Sequence, residues 1–179
     1  MQSLNHDQLL DLLRVAQEHS KRDHLMILVA YSHGLRSSEI VNLTTRSIRD
    51  AYITVQRLKG SRKTVQPLVF SSNPLLDEKG AMTAYLASVP ANGRLFPISR
   101  IQFWRLVQKY AALAGIANHL AHPHTLKHTC GKLALKAGME IDELRQYLGH
   151  ESLSSTGHYV ESDDQTASTA FAAAMGYVL

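Results

Sequence analysis

One interruption in an otherwise helical pattern constrains the fold of this chain more than any other feature. Residues 52–55 (Tyr-Ile-Thr-Val) and 64–68 alternate in polarity and are rich in β-branched side chains, which is typical of strands. The polar segment 59–63 between them contains Gly60, so the two runs predict a β-hairpin with a polar turn. Only one small sheet is therefore expected in the chain.

The rest of the chain has mostly helical periodicity. Ser37 can cap a helix, and Gly34 and Gly138 are placed to end helices. A short extended segment is expected at 94–97, before another helix. The balance predicts an α+β fold, mostly helical with a small antiparallel sheet or hairpin. Helices are expected at 5–19, 21–31, from Ser37 onward, and at 73–87, 99–114, 126–136 and 141–148.

Length and composition indicate one domain over residues 1–179. The chain is 45% hydrophobic, which is enough to bury one core of this size. Cys130 is the only cysteine, so an intrachain disulfide is excluded and a reducing cytoplasm is favoured. The N-terminus lacks the basic and apolar regions of a signal peptide, and no run reaches the roughly eighteen apolar residues of a membrane helix. We therefore expect a cytoplasmic protein.

The charge balance is compatible with a polyanionic partner. The net charge is +4 and the sequence pI is about 9.3, which is modestly basic.

Imidazoles, an ammonium and a phenol are concentrated in the C-terminal part of the chain. They are in segments 124–127 (His-Thr-Leu-Lys) and 148–150 (Leu-Gly-His) and at Tyr159. A phenol has a pKa of about 10 and is a poor nucleophile at neutral pH. It becomes useful when cations surround both it and an electrophile that gains negative charge, such as a DNA phosphodiester. Arg36 and Lys59 add two more cations.

The order of these residues resembles the active site of the tyrosine recombinases, or phage-type integrases. That order is an arginine, a hairpin lysine, a His-x-x-Arg box, a Leu-Gly-His box and a tyrosine nine residues later. The resemblance extends from about Leu9 to Tyr159. Residues 122–131 are especially similar to the short recombinases that invert fimbrial promoter switches, which lack an N-terminal core-binding domain. A compact phage or mobile-element integrase fits equally. The resemblance therefore implies a bacterial protein, or a phage protein in a bacterial host.

The resemblance implies a role for each residue. Tyr159 would attack phosphorus and form a 3′-phosphotyrosyl enzyme, while Arg36 binds the phosphate oxygens. Lys59 would protonate the departing 5′-oxygen, although Arg62 and Lys63 compete for this assignment. The two imidazoles of the pattern, at positions 124 and 150, would move the tyrosine proton (His124) and bond a phosphate oxygen (His150). The resemblance implies no cofactor and no metal.

Glu39 is the expected orienting residue for the first arginine. It lies one helical turn after Arg36, so its carboxylate can hold the guanidinium in a fixed orientation. A planar guanidinium fork can then bind two non-bridging phosphate oxygens at once.

Lys127 departs from the family pattern, because it stands where the family has its second arginine. Lysine keeps the positive charge but loses the fork, and the loss of one good electrostatic donor can cost a factor of about 10²–10³ in rate. A slow natural enzyme, a natural chain losing its activity and a laboratory substitution each fit this lysine. It also leaves open a DNA-binding protein of the same fold without catalysis. A nicking–closing enzyme like type IB topoisomerases is a further alternative, against which the small size and the C-terminal tail argue.

A zinc site is a weaker interpretation of the histidine-rich segment. The four candidate ligands have the spacing H-x-H-x3-H-x-C, which is not a usual zinc pattern, and no Cys-x-x-Cys pair accompanies them. We therefore predict no metal. The candidates are His122, His124, His128 and Cys130.

The expected partner is double-stranded DNA, bound by a homotetramer on two sites and recombined through a Holliday junction, with accessory DNA-bending proteins as further partners. The tail, residues 162–179, carries a small apolar face of Phe171, Met175 and Tyr177. It either packs on its own core or, by the resemblance, docks on a neighbouring protomer. Candidate DNA contacts are Arg57, Arg62, Lys63, Arg100 and Arg105, with Arg46, Arg49 and Lys109 as further candidates.

Overall fold

The computed structural model of the protein describes residues 2–57 and 63–149. Helices and a small antiparallel sheet make up this part of the chain, which confirms the predicted α+β class. The helices are α1 (His6–His19), α2 (Lys21–Ser32), α3 (Ser37–Val41), α4 (Glu78–Leu86), α5 (Arg100–Leu113), α6 (Pro123–Lys136) and α7 (Ile141–Tyr147). The strands are β1 (Ile48–Arg49), β2 (Tyr52–Val55) and β3 (Thr64–Pro67), and short 3₁₀ turns lie at Thr45–Ser47 and Asn118–Leu120.

The predicted hairpin is confirmed, and a third strand extends it. Strands β2 and β3 pair antiparallel with Val55 opposite Thr64, and β1 pairs with the other edge of β2. The β1–β2 turn is formed by Asp50 and Ala51, both with positive φ (51° and 62°). Two-residue hairpin turns of the type I′ geometry require this conformation at both positions.

The N-termini of α3 and α4 differ from the prediction, in each case with a local polar contact: Ser37 starts α3 but does not cap it, and α4 starts later than expected. Helix α3 begins at Ser37 itself, and its N-cap residue is Arg36, whose backbone N–H donates to Glu39. Helix α4 begins at Glu78 and not near Asn73. The Asn73 side chain accepts from the backbone N–H two residues later, which favours a turn over a helix there.

Helix α2 is the centre of the fold. Its middle residues, from Leu25 to Ala30, are all buried, and α1, α4 and α6 pack around it. A helix that is apolar on every side is stable only when surrounded in this way. Because the site residues follow directly on its C-terminus, the most deeply packed helix of the core positions them.

Gly34 lies in the short loop between α2 and Arg36. Its φ is +56°, and a Cβ at this position would collide with the side chain of Leu148. Only glycine tolerates both the conformation and the close approach. The loop that leads to Arg36 therefore lies directly against the Leu-Gly segment that follows α7.

No described helix combines the length and the apolar character that a bilayer crossing requires.

Candidate active site

The carboxylate of Glu39 holds Arg36 at two points. One oxygen, Oε2, accepts from the backbone N–H of Arg36 at 2.8 Å, and Oε1 accepts from its Nη1 at 3.0 Å. The Glu39 side chain is fully buried, whereas that of Arg36 is 31% exposed. The expected contact between these two residues is present. It leaves a solvent-facing guanidinium whose orientation is set from inside the protein.

The charge state of Glu39 suits this role. Burial alone would raise the pKa of its carboxyl group. The backbone N–H of Arg36 and the charges of Arg57 and Lys127 outweigh burial and hold the pKa below its usual value. Glu39 is therefore ionised at neutral pH and serves as a permanent acceptor.

Arg57 is a buried structural residue and not the surface phosphate contact that we predicted. It is 3% exposed, and its guanidinium is occupied by protein acceptors, so a DNA phosphate cannot reach it. Its hydrogen bonds run from Nε to Thr64 Oγ1 (3.1 Å), from Nη1 to Gly34 O (3.3 Å) and Glu39 Oε2 (3.4 Å), and from Nη2 to His33 O (2.9 Å) and Tyr147 O (3.3 Å).

These bonds join three parts of the site. Arg57 follows β2 and ties the base of the hairpin to the loop before Arg36 and to the last residue of α7. The carbonyl oxygen of Tyr147 also accepts from Gln66 Nε2 at 2.6 Å. The end of α7 is thus fastened to the sheet by two side chains, which fixes the starting point of the segment toward His150.

His33 adds a buried polar contact beneath the same loop. Its Nδ1 lies 2.7 Å from Gln66 Oε1 and its Nε2 lies 2.8 Å from Glu78 Oε1. All three side chains are buried. The sequence analysis did not select His33, and its position directly before Gly34 was the one signal available.

Lys127 occupies the interior of the site. It lies on α6 and is 3% exposed, and no described residue gives its Nζ a hydrogen-bond partner. Burial, together with the charges of Arg36 and Arg57, lowers the pKa of its ammonium group to about 7, while Glu39 acts in the opposite direction. The site therefore contains a lysine that changes charge near neutral pH.

The lowered pKa of Lys127 should make the free energy of unfolding depend on pH. The pKa of Lys127 is lower in the folded protein (about 7) than in the unfolded chain (10.5), so the unfolded chain binds more protons between these values. Stability must then rise with pH across this window. Relative to Lys127→Met, the native protein should gain roughly 2 kcal/mol between pH 7 and pH 9. Urea unfolding at both pH values measures this difference, and parallel pH curves for the two proteins would contradict the shift.

The imidazoles of the site lie on the first turns of α6. Because the helix begins at Pro123 and not at residue 126 as predicted, His124 and His128 share a face. Their ring centroids are 4.3 Å apart in an edge-on arrangement. Burial, followed by the charge of Lys127, lowers the pKa of His124. His124 is also exposed, so it can accept a proton from a group in solution.

The neighbouring histidines have other roles. His128 is buried, and burial followed by the charge of His124 lowers its pKa to about 4. His122 is the N-cap of α6, where its Nδ1 accepts from the backbone N–H of Thr125 at 3.3 Å. Within residues 2–57 and 63–149 no group of three or more His, Cys, Asp or Glu is arranged to hold a metal ion.

A basic cleft of about 840 Å³ opens beside Glu39. Three cationic side chains line it: Arg46, Arg49 and Lys63. Two other predicted DNA contacts, Arg100 and Arg105, are exposed on α5. The predictions for Lys59, Arg62, His150, Tyr159 and the tail 162–179 lie outside the described residues.

The chain matches the phage integrase family over residues 2–166. It is 36% identical over 153 residues to the tyrosine recombinase XerD of Xanthomonas campestris pv. campestris, covering 77% of this chain and 47% of that protein. It is 30% identical over 152 residues to the type 1 fimbriae regulatory protein FimE of Escherichia coli K12, covering 79% of this chain and 75% of that protein. The chain thus spans about half the length of the XerD relative.

A solved structure shares the fold. The XerH site-specific recombinase, bound to its difH substrate in a pre-cleavage complex, matches with a TM-score of 0.76 at 19% identity, covering 96% of this chain and 54% of that one. These comparisons include recombinases and lend no support to the alternative of a protein without catalysis.

Proposed function

The chain belongs to the phage integrase family of tyrosine recombinases, and on this basis we propose that it cuts and rejoins double-stranded DNA at specific sites. The phenol oxygen of Tyr159 attacks phosphorus, the tyrosine loses its proton, and the 5′-oxygen of the next nucleotide leaves as a hydroxyl. The 3′-phosphotyrosyl bond retains the energy of the phosphodiester. A 5′-hydroxyl of a second strand then reverses the step without a cofactor.

One observation carries the proposal: Arg36 and Lys127 lie on either side of the Glu39 charge, with which both interact. Arg36 presents an oriented, partly exposed guanidinium, and Lys127 holds a buried Nζ with no described partner. Donors fixed in advance, where negative charge develops, stabilise a transition state without reorganising. A pentacoordinate phosphorus with charged equatorial oxygens fits these two groups.

The other roles follow the family pattern. We assign Lys59 as the acid for the leaving 5′-oxygen and His150 as a donor to a phosphate oxygen. The exposed imidazole of His124, with its lowered pKa, is suited to receive the proton of Tyr159.

DNA binding is assigned to the exposed cations around the site. The basic cleft beside Glu39 supplies Lys63, and α5 supplies Arg100 and Arg105. Affinity should fall steeply with salt, because each neutralised phosphate releases counterions. We further propose that four protomers act on two DNA sites in the cytoplasm, with accessory DNA-bending proteins and with the tail docking on a neighbour.

Covalent trapping tests the function. The protein is incubated with nicked duplexes from the flanks of its own gene and with a nicked, randomised library, so that the target sequence need not be known. We expect a DNA adduct that survives denaturation and disappears on protease treatment. Arg36→Gln should form the adduct about 10²–10³ times more slowly, because an oriented donor is lost.

The matched control is Arg14→Gln, which removes an exposed arginine on α1 whose partners are Asp11 and Glu18. This variant should form the adduct at the native rate. If the native chain bound DNA tightly from both sources and formed no adduct, the proposed function would be wrong.

A further inference from the structure

The buried Nζ of Lys127 has no hydrogen-bond acceptor among the described residues. Its side chain is 3% exposed, and nothing in the described part of the chain accepts a hydrogen bond from Nζ. A buried polar group without a partner costs a few kcal/mol, and a buried charge without one costs more. A ligand can supply the acceptor that Lys127 lacks among the described residues.

The neighbouring charges define the ligand as an anion. Arg36 before α3 and Arg57 after β2 face Lys127, and among the described carboxylates it is Glu39 in α3 that favours its charged form. Glu39 already serves both guanidiniums. The neighbours on its own helix are titratable groups, of which none supplies a full negative charge at neutral pH: His124, His128 and Cys130, whose thiol pKa burial raises to about 11.

We propose that the Nζ of Lys127 is reserved for an oxygen of the phosphoryl group held by Arg36, and that Lys127 takes up a proton when this group arrives. The proposal deepens the function proposed above and rests on it. An oxyanion supplies both a hydrogen-bond acceptor for Nζ and a negative charge close to it. Binding therefore favours the ammonium form, and the proton comes from solvent.

The lowered pKa supports this scheme. With a pKa of about 7, much of Lys127 is neutral at slightly alkaline pH. An arginine at this position would stay charged throughout, since its pKa exceeds 12. The lysine thus makes anion binding depend on pH in a range where an arginine would not.

Sulfate is a suitable probe, because it remains a dianion over the whole range from pH 6 to 9. The ammonium form binds sulfate more tightly than the neutral amine does, so binding raises the pKa of Lys127 above 7. Affinity should be highest below pH 7 and should fall above it, by up to about tenfold per pH unit, until the pKa of the complex is reached. Isothermal titration calorimetry in two buffers of different ionisation enthalpy should show uptake of up to one proton per sulfate at pH 8.

Three variants isolate the lysine. Lys127→Arg keeps a cation and should bind sulfate with little pH dependence above pH 7 and without proton uptake there. Lys127→Met should bind weakly at every pH, after circular dichroism has shown that it folds. His124→Gln should keep the native pH dependence, which separates the lysine from the adjacent imidazole.

Several results would overturn the inference. One is a native protein with the same weak pH dependence as Lys127→Arg, and another is a native protein that binds sulfate at pH 8 without taking up a proton. Failure of both the native protein and Lys127→Arg to bind sulfate would contradict the inference as well. The covalent-trapping assay separates this failure from failure of the function. An adduct without proton uptake would remove the inference alone, whereas proton-coupled sulfate binding without an adduct would remove the function and leave an anion site.

Discussion

Tyr159→Phe is expected to abolish the covalent DNA adduct while leaving DNA affinity close to that of the native protein. The substitution removes a single oxygen, and that oxygen forms the bond to phosphorus in the proposed reaction. Phenylalanine keeps the ring but offers no nucleophile. The measurement is the denaturing gel of the trapping assay, run beside a binding titration of the same nicked duplex.

Tyr52→Phe is the matched control, because Tyr52 lies on β2 and is 49% exposed. It should form the adduct at the native rate. Mass spectrometry of the protease-treated native adduct should place the nucleotide on the peptide that contains Tyr159. An adduct that survives in Tyr159→Phe would show that another residue is the nucleophile, and the peptide would identify it.

Arg57→Leu is expected to destabilise the fold by about 3–5 kcal/mol, the cost of breaking a buried ion pair by removing one partner. The change leaves Glu39 with one guanidinium fewer. It also removes the donors to the carbonyl oxygens of His33, Gly34 and Tyr147, which leucine cannot replace. Urea unfolding should show a lower midpoint with an unchanged slope.

Arg57→Lys tests the geometry of the contact. It keeps a charge near Glu39 but cannot donate in a planar fork, so its stability should fall between that of the native protein and Arg57→Leu. Arg14→Leu, at an exposed position, should unfold close to the native midpoint. If Arg57→Leu unfolded there too, the buried fork would contribute little to the fold.

Arg57 shows where sequence reasoning about the site reaches its limit. An arginine two residues before a predicted hairpin turn has the same sequence signal whether it faces solvent or the core. The guanidinium of Arg57 can be buried because backbone carbonyls from two distant segments and the carboxylate of Glu39 accept its hydrogen bonds. No local sequence pattern indicates that these acceptors come together in the fold. The Arg36–Glu39 contact was predictable because it spans one helical turn.

The sheet was also only partly predictable from local sequence. The hairpin of β2 and β3 was evident from alternation and a polar turn. Strand β1 has two residues, and its turn uses Asp50 and Ala51 instead of the Asn-Gly or Asp-Gly pair that usually marks a type I′ turn. For Lys127, the sequence identified the missing arginine, but only the packing of α6 against α2 shows how deeply the lysine lies.

Lys127 and the three charged groups around it imply a site whose formal charge rises when a phosphate binds. Before binding, a neutral lysine, two guanidiniums and one carboxylate leave one positive charge. With the ammonium form, the charge becomes two, which balances the dianion of a pentacoordinate intermediate. Only interactions that strengthen on the way to the transition state accelerate a reaction. The charge that Lys127 gains on binding exceeds what the phosphodiester monoanion requires and matches that of the dianion, so it stabilises the transition state more than it stabilises bound DNA. An arginine at this position would carry the same charge before any DNA arrives.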